Sequence, residues 1–432
     1  MNWLHSIFLV LLCSTQCFGY TLQFQKWQTA NGATVIYYPT QEVPMLDIYI
    51  AFRAGSAYDG KYFGLSTLTT ELLSEGSGNL NANQISEKLA ETGAQYNVET
   101  SRNLAVIHLR SLSENTALEN ATDLLSLIIN KPYFPQDAFY RERNQLLTVI
   151  AHTKDSPDEI ANQTFFQQLY QNHPYAHPIN GTTETVRALQ PWQPRNFYKQ
   201  YFNGANATLV IVGDIKTPEA HALADKLIGS LPNGSPAAPL PKPSPLNQAI
   251  HSKIPFPATQ TAIRIGQLGI NHQSPQYFPL MVANYILGGS TIVSELGQAI
   301  REKRGLSYNV NSELMPMPEA GPFIISLSTL NHQAQEAIQI SEDTLKHFLQ
   351  NGPTEKELQA AKQYLTGSFA LSLASNNNIA LMLLRLEVYH LPEDFLDTYA
   401  ARIEHVTQQE IKNALQALII PEHLLTVEVG KM

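Results

Sequence analysis

Two histidines in this sequence have a spacing that could serve metal chemistry. His173 and His177 are four residues apart, and on a helix that spacing places two imidazoles on one face, where they can bind a metal ion. Pro174 and Pro178 argue against a helix here, and no acidic residue lies nearby. We therefore predict that both histidines belong to a surface loop and bind no metal.

The remaining histidines are scattered singly along the chain. His108 and His390 are flanked by apolar residues, a setting more typical of the core or its boundary than of a metal ligand. The histidines therefore indicate no metal site.

Arg301 and Tyr308 form a second candidate pair, seven residues apart. A guanidinium offers a rigid fork of hydrogen-bond donors and a phenol offers one more, so the pair could bind backbone carbonyls and charge that develops on one of them. Composition alone favours a plainer interpretation, in which Arg301 is a surface residue beside Glu302 and Tyr308 packs at the start of a strand.

A repeat shows which elements must position these residues. Residues 93–98 and 305–310 share the pattern G-x-x-Y-N-V. Each hexad follows an amphipathic segment and precedes a strand, a helix and a further helix that begins after a proline. The matching segments are 85–89, 108–112, 117–129 and 136–152 in the first half and 296–300, 323–327, 333–349 and 354–371 in the second.

The strand pattern indicates the fold class. Strands are predicted at residues 33–38, 46–52 and 207–212, and they mix with helices without a strict βαβ order. We therefore predict an α+β fold of two homologous domains, each a largely antiparallel sheet with helices packed on one face. Six prolines at residues 231–248 predict a linker between domains at 20–230 and 249–432.

Composition limits the function. The chain has 432 residues, 44% apolar and 15% charged, with a formal net charge of -9. These values are typical of a globular protein and exclude disordered, collagen-like and coiled-coil proteins. The excess of acidic residues makes nucleic acid an unfavoured partner.

The N-terminus predicts export. An apolar run at residues 7–12 is followed by small and polar residues, as in a secretory signal peptide, which we place at residues 1–19. The run is much shorter than the roughly 20 apolar residues of a membrane-spanning helix. We expect a periplasmic or secreted protein with no transmembrane segment. Cys13 and Cys17 both lie in the signal peptide, so the mature chain has no disulfide or thiolate chemistry.

A series of short motifs gives the sequence a family resemblance. Their order resembles the pitrilysin and insulinase type of zinc metallopeptidase, especially the bacterial and mitochondrial-processing branch built from two such halves. The motifs are R-A-G-S (53–56), G-L (64–65), D-S-P (155–157), H-P-Y (173–175), G-T (181–182), V-G-D (212–214), L-G-G-S (287–290) and R-E-K-R-G-L-S-Y (301–308).

The resemblance also shows what this chain lacks. The family's H-x-x-E-H motif binds zinc through two histidines on one helix and uses the glutamate as general base. Here Thr67 and Glu71 occupy the metal positions and Thr70 the base position, and the third ligand falls at Thr148 or Val149. Threonine is a poor zinc ligand, and a neutral hydroxyl cannot act as the base. We expect no zinc in this chain, although Glu71 with distant residues could bind metal in an altered way.

The second half retains family features. In the family, an arginine and a tyrosine seven residues apart bind the carbonyls of the substrate near the zinc site. Arg301 and Tyr308 match them, so the resemblance favours the functional interpretation. The family also adds an extended peptide to an exposed edge strand near the catalytic helix. Asn97 lies on the matching strand, where it is either a substrate contact or a turn residue.

The loss of the zinc motif together with the presence of Arg301 and Tyr308 resembles one subunit of the two-subunit members of the family. The leading hypothesis is the non-metal subunit of a periplasmic heterodimeric zinc peptidase that cleaves peptides. Arg301 and Tyr308 would complete the active site of a homologous partner that carries H-x-x-E-H and the zinc, and this chain alone would be inert. The alternative is a non-catalytic peptide-binding or scaffold protein of the same fold.

Overall fold

Residues 22–431 are described by the computed structural model. The predicted signal peptide at residues 1–19 lies outside this range and stays a prediction. In the described part of the chain, no helix is both long enough and apolar enough to cross a membrane.

Strands form where β-branched and aromatic residues alternate or run together, close to the predicted positions. The strands are β1 (Gln25–Gln28), β2 (Thr34–Pro39), β3 (Met45–Phe52), β4 (Gly76–Ser77), β5 (Leu80–Asn81), β6 (Gln95–Thr100), β7 (Ala105–Leu112), β8 (Ala207–Gly213), β9 (Ile250–Pro255), β10 (Gln260–Leu268), β11 (Val310–Leu314), β12 (Pro322–Leu330) and β13 (Leu425–Gly430).

The helices mostly begin at side-chain caps or prolines, which satisfy or remove the unpaired N–H groups of a first turn. They are α1 (Leu65–Glu71), α2 (Ala82–Thr92), α3 (Asn115–Asn130), α4 (Gln136–Thr153), α5 (Pro157–Tyr170), α6 (Thr183–Ala188), α7 (Trp192–Tyr201), α8 (Thr217–Ile228), α9 (Tyr277–Gly288), α10 (Ala334–Asn351), α11 (Glu355–Leu371), α12 (Asn376–Val388), α13 (Phe395–His405) and α14 (Gln408–Leu418).

Two large sheets confirm the predicted fold class. The first half has the strand order β1-β2-β8-β3-β7-β6, and the second has β11-β12-β10-β13-β9. Within these sheets, only β2 with β8 and β9 with β13 pair in parallel. The second sheet therefore repeats the first without β1, as the hexad repeat predicts. Residues 232–249 between the halves contain no helix or strand.

Each sheet packs one face on the helices of its own half. In the first half Val35, Ile48 and Leu209 contribute to a core with residues of α1, α3, α4 and α8. In the second half Ile263, Ile325 and neighbouring residues pack with α9, α10 and α14. The alternation of side chains along a strand leaves the opposite faces, also apolar, to be covered separately.

The halves exchange helices to cover these opposite faces. From the second half, α12 lies on β3 and β8 of the first sheet, where its leucines contact Tyr49 and Val210. From the first half, α5 lies on β10 and β13 of the second sheet, with Phe165 in the buried cluster. The helix on the second face of each sheet was not expected from the sequence.

Polar contacts reinforce the exchange. The buried Arg264 guanidinium of β10 binds Asp158 of α5 at 2.9 Å, and the Tyr49 hydroxyl donates to Asn377 of α12 at 2.6 Å. The two halves are therefore joined by reciprocal packing in addition to the chain between them.

Candidate functional site

The helix at the position of the zinc motif has a tightly fixed start. Gly64 precedes α1 with φ of 92°, a left-handed conformation that favours glycine. A Cβ atom at Gly64 would lie 2.6 Å from the Asn180 carbonyl oxygen, which leaves no room for a side chain. The buried Asp59 carboxylate accepts hydrogen bonds from the backbone N–H groups of Gly64 and Ser66, each at 2.7 Å. Sequence reasoning missed Asp59, although an acidic residue shortly before a helix start is a usable capping signal.

The two threonines of the degenerate motif have structural partners. Thr67 and Thr70 are both buried. The Thr67 hydroxyl donates to the Ile179 carbonyl at 3.1 Å, and the Thr70 hydroxyl donates to the Ser66 carbonyl at 2.9 Å. Both hydroxyls are used within the fold, so this helix face packs against the protein.

Glu71 is the acidic residue left on this helix. It lies exposed at the end of α1, near Glu142 of α4 and near Glu75. Partial loss of hydration raises the pKa of Glu71, and the like charges of Glu142 and Glu75 raise it further. Arg141 bridges Glu75 and Glu142 and neutralises part of this charge.

The third ligand position has no carboxylate. Thr148 is exposed on α4, and its hydroxyl donates to the Asn144 carbonyl at 3.0 Å. Val149 is exposed as well. Across residues 22–431, no group of three or more His, Cys, Asp or Glu side chains is arranged to hold a metal ion.

We expect the dialysed protein to contain no stoichiometric zinc, because threonines and one carboxylate cannot replace the family's ligand set. Inductively coupled plasma mass spectrometry on the purified chain tests this, with Glu71→Gln as the matched variant. One zinc per wild-type chain that is lost in Glu71→Gln would contradict the prediction and show that Glu71 binds metal.

At about pH 4 and below, Asp59→Asn is expected to lower the free energy of unfolding by about 1–3 kcal/mol, because the amide nitrogen cannot accept the second backbone hydrogen bond, which an oxygen of the protonated carboxyl group still can. Burial raises the pKa of Asp59 to about 7, and the hydrogen bonds from Ser66 and Gly64 only partly oppose this. The folded chain then holds a proton that the unfolded chain loses near pH 4. The contribution of Asp59 to stability is therefore present below about pH 4 and is lost as the pH rises through about 7.

Urea unfolding across this pH range measures both effects, and Asp225→Asn on the exposed surface of α8 is the control. Asp59→Asn should remove the decline in stability from the wild-type profile. An unchanged profile would show that Asp59 stays ionised in the folded protein.

Arg301 lies on a π-helical turn, Gly297–Glu302, which closely matches the amphipathic helix that the sequence predicts at residues 296–300. Such turns are rare and often occur at functional sites. Its Nε atom is 3.8 Å from the Glu302 carboxylate, a loose contact between partly exposed groups that holds the side chain weakly.

Tyr308 is 85% exposed, which does not fit the interpretation of a packed residue. It precedes β11 in a loop anchored by Ser307, whose hydroxyl oxygen lies 2.8 Å from the carbonyl oxygens of both Asn309 and Ser328. Its counterpart in the first hexad, Tyr96, lies within β6 and packs on the core. The matching tyrosines of the two hexads therefore differ in environment: Tyr96 packs on the core and Tyr308 is exposed to solvent.

Asn97 lies on β6, the edge strand of the first sheet. It pairs with His108 of β7, and its side chain is exposed. Within the described chain β6 has no partner on its other side, and α1 packs against it. The strand is thus available to pair with an extended peptide near the former metal site. A role for Asn97 in such binding stays a prediction.

The prediction that His173 and His177 lie at the surface is wrong. Both belong to a loop, as predicted, but each is only 8% exposed. The His173 ring bonds the Pro241 carbonyl at 2.7 Å, and the His177 ring stacks on Phe63 with centroids 4.1 Å apart. Burial lowers the pKa of both, so they are neutral packing residues.

The other histidines that were considered have structural partners. His108 bonds the buried Asp47 carboxylate at 2.8 Å, and His390 bonds Arg53 at 2.6 Å. His108 is half-buried, which agrees with the boundary role that the sequence predicts. His390 is exposed, so the predicted core or boundary role is wrong for this residue.

The fold and the site together define the class of protein. It has the two homologous domains of a zinc metallopeptidase of this type, and its metal ligands are replaced. Profiles described as "Insulinase (Peptidase family M16)" and "Peptidase M16 inactive domain" match residues 35–183 and 193–365. The "peptidase M16 inactive domain" structure from Pseudomonas fluorescens is 32% identical, with a TM-score of 0.92 over 95% of this chain and 98% of that one. The chain belongs to the M16, or insulinase, peptidase family and is a member without the zinc motif.

Two further relatives are similar over most of the chain. The "Non-peptidase homolog YmxG" of Helicobacter pylori is 26% identical over 95% of each chain. The "Uncharacterized zinc protease YmxG" of Bacillus subtilis is 25% identical over 82% of this chain and 85% of the relative. The present chain is an inactive-type homologue of the M16 peptidases, because its own metal and base positions are replaced.

Proposed function

We propose that this chain is the non-metal subunit of a periplasmic heterodimeric zinc peptidase that cleaves peptides. Its partner would be a homologous chain with an intact H-x-x-E-H motif and bound zinc. The observation that most supports the proposal is a contrast between the two halves. The first half has lost the residues of the zinc motif, whereas the second half presents Tyr308, which is 85% exposed in an anchored loop.

The chemistry of the pair supports the proposal. Arg301 and Tyr308 present a guanidinium and a phenol that are not committed to strong contacts within residues 22–431. Donors held in this way can bind a peptide carbonyl and stabilise negative charge that develops on its oxygen. Zinc in the partner would polarise the same carbonyl and activate water.

Reconstitution tests the proposal. The chain would be co-purified with a homologue from the same genome that carries H-x-x-E-H, and cleavage of a fluorogenic peptide would be measured. We expect cleavage by the mixture and none by this chain alone. Full activity of the partner by itself, with no complex formed, would contradict the proposal.

A peptide-binding scaffold is the second candidate, favoured by the open edge of β6 beside α1. Such a protein would bind extended peptides without any need for Arg301. The two candidates therefore differ in the effect of changing that residue.

A further inference from the structure

A small cavity lies where the two halves and the intervening chain meet. Its volume is about 150 Å³. Its walls come from the end of β3, the β6–β7 turn, residues 238–240, residues 272–273, residues 318–319 and the end of α12. Ligand sites occur preferentially at such junctions between domains. In another protein a cavity of about 150 Å³ accepts benzene, so only a small ligand fits here.

Arg53 gives one side of the cavity a positive charge. Its guanidinium bonds the Nε2 atom of His390 at 2.6 Å. Because arginine stays protonated, the histidine accepts this bond and is neutral, so the bond leaves the charge uncompensated. Within residues 22–431 no carboxylate is paired with Arg53. Nearby, Asn103 is 8% exposed and its oxygen accepts the Tyr175 hydroxyl at 2.7 Å, which leaves its amide N–H groups to donate.

Glu319 gives another part of the wall a negative charge. It is half-buried, and in the described part of the chain no cation lies within ion-pair distance of it. An unpaired cation and an unpaired anion thus line one cavity without reaching each other.

His272 adds an unsatisfied polar group to the wall. It is 7% exposed, stacks on Tyr389 and has a buried Nε2 atom with no hydrogen-bond partner among the described residues. Burial and the nearby Arg385 lower the pKa of His272 to about 4, so the ring is neutral. Native proteins rarely leave such an atom unpaired without water or a ligand nearby.

We propose that this cavity binds a small free aliphatic α-amino acid. The carboxylate would bind Arg53 and Asn103, the ammonium would bind Glu319, and Leu104, Leu240 and Val388 would contact the side chain. A zwitterion satisfies both unpaired charges at once, which neither a simple anion nor a simple cation can do. The proposal is independent of the peptidase role.

Isothermal titration of the full chain with alanine, valine and leucine tests the site, with N-acetylvaline and valinamide as ligands that lack one charge. We expect binding of at least one free amino acid and about 10- to 100-fold weaker binding of both blocked forms, as for loss of one charged hydrogen bond. Equal binding of N-acetylvaline would reduce the site to an anion site and overturn the proposal. No binding of any of the three amino acids would also overturn it.

Glu319→Gln keeps the side-chain shape and should weaken valine binding by a similar factor, whereas Glu313→Gln on the exposed part of β11 should not change it. Circular dichroism would show that both variants fold. Unchanged binding in folded Glu319→Gln would contradict the assignment of the ammonium group. None of these outcomes depends on reconstitution with a partner.

Discussion

Arg301→Ala should reduce kcat/KM of the reconstituted peptidase by about 10²–10³-fold, the usual loss when one preorganised donor to a developing oxyanion is removed. The reason is geometric: the π-helical turn holds Arg301 near the surface, and its contact with Glu302 is loose at 3.8 Å. Peptide cleavage is measured together with the amount of complex by size-exclusion chromatography, and complex formation should be unchanged.

Arg304→Ala is the matched control for this experiment. Arg304 is exposed in the same segment, and its guanidinium donates to the Ala299 carbonyl at 2.9 Å, so it has a local role. Its replacement should leave turnover nearly unchanged. Tyr308→Phe, which removes only the hydroxyl, should also lower kcat/KM. If Arg301→Ala and Arg304→Ala both keep wild-type turnover in an intact complex, the scaffold candidate is favoured.

Phe165→Ala is expected to reduce the free energy of unfolding by about 3–5 kcal/mol, the typical cost of removing a fully buried phenyl ring. Phe165 belongs to α5 of the first half but packs in the cluster on the outer face of the second sheet, close to Gly266. The change therefore tests whether the exchanged helix holds the halves together.

Gln167→Ala on the exposed side of α5 is the control, because it keeps the helix and leaves the buried cluster intact. Denaturant unfolding, followed by circular dichroism, compares the two variants. A loss below about 1 kcal/mol for Phe165→Ala, similar to that of a surface change, would show that the exchange contributes little to stability.

Local patterns in the sequence predict the elements well, because propensity and caps act over a few residues. The predicted helix at 136–152 is α4, and the predicted strand at 207–212 is most of β8. The hexad repeat likewise predicts the correspondence of the two sheets. The replaced residues Thr67 and Thr70 are visible in the sequence because the family motif fixes their positions.

Long-range packing could not be predicted in the same way. Ala161, Phe165 and Leu169 are buried at helical spacing along α5, but that spacing carries no information about which sheet covers them. Similarly, the prolines beside His173 correctly predict a loop, yet only the folded chain shows that the loop is enclosed. The exposure of Tyr308 depends on where β11 begins, which the shared hexad does not reveal.

Because α12 of the second half covers the first sheet, that sheet has an uncovered apolar face during part of the chain's synthesis. When β8 has been made, the outer face of the first sheet still lacks the helix that shields Tyr49 and Val210 from water. That helix ends at Val388, and at common translation rates of about 5–20 residues per second the face waits on the order of 10 s for it. A nascent chain in this interval exposes an apolar surface of the kind that favours aggregation. Expression of either half alone would make that exposure permanent and lead to aggregation.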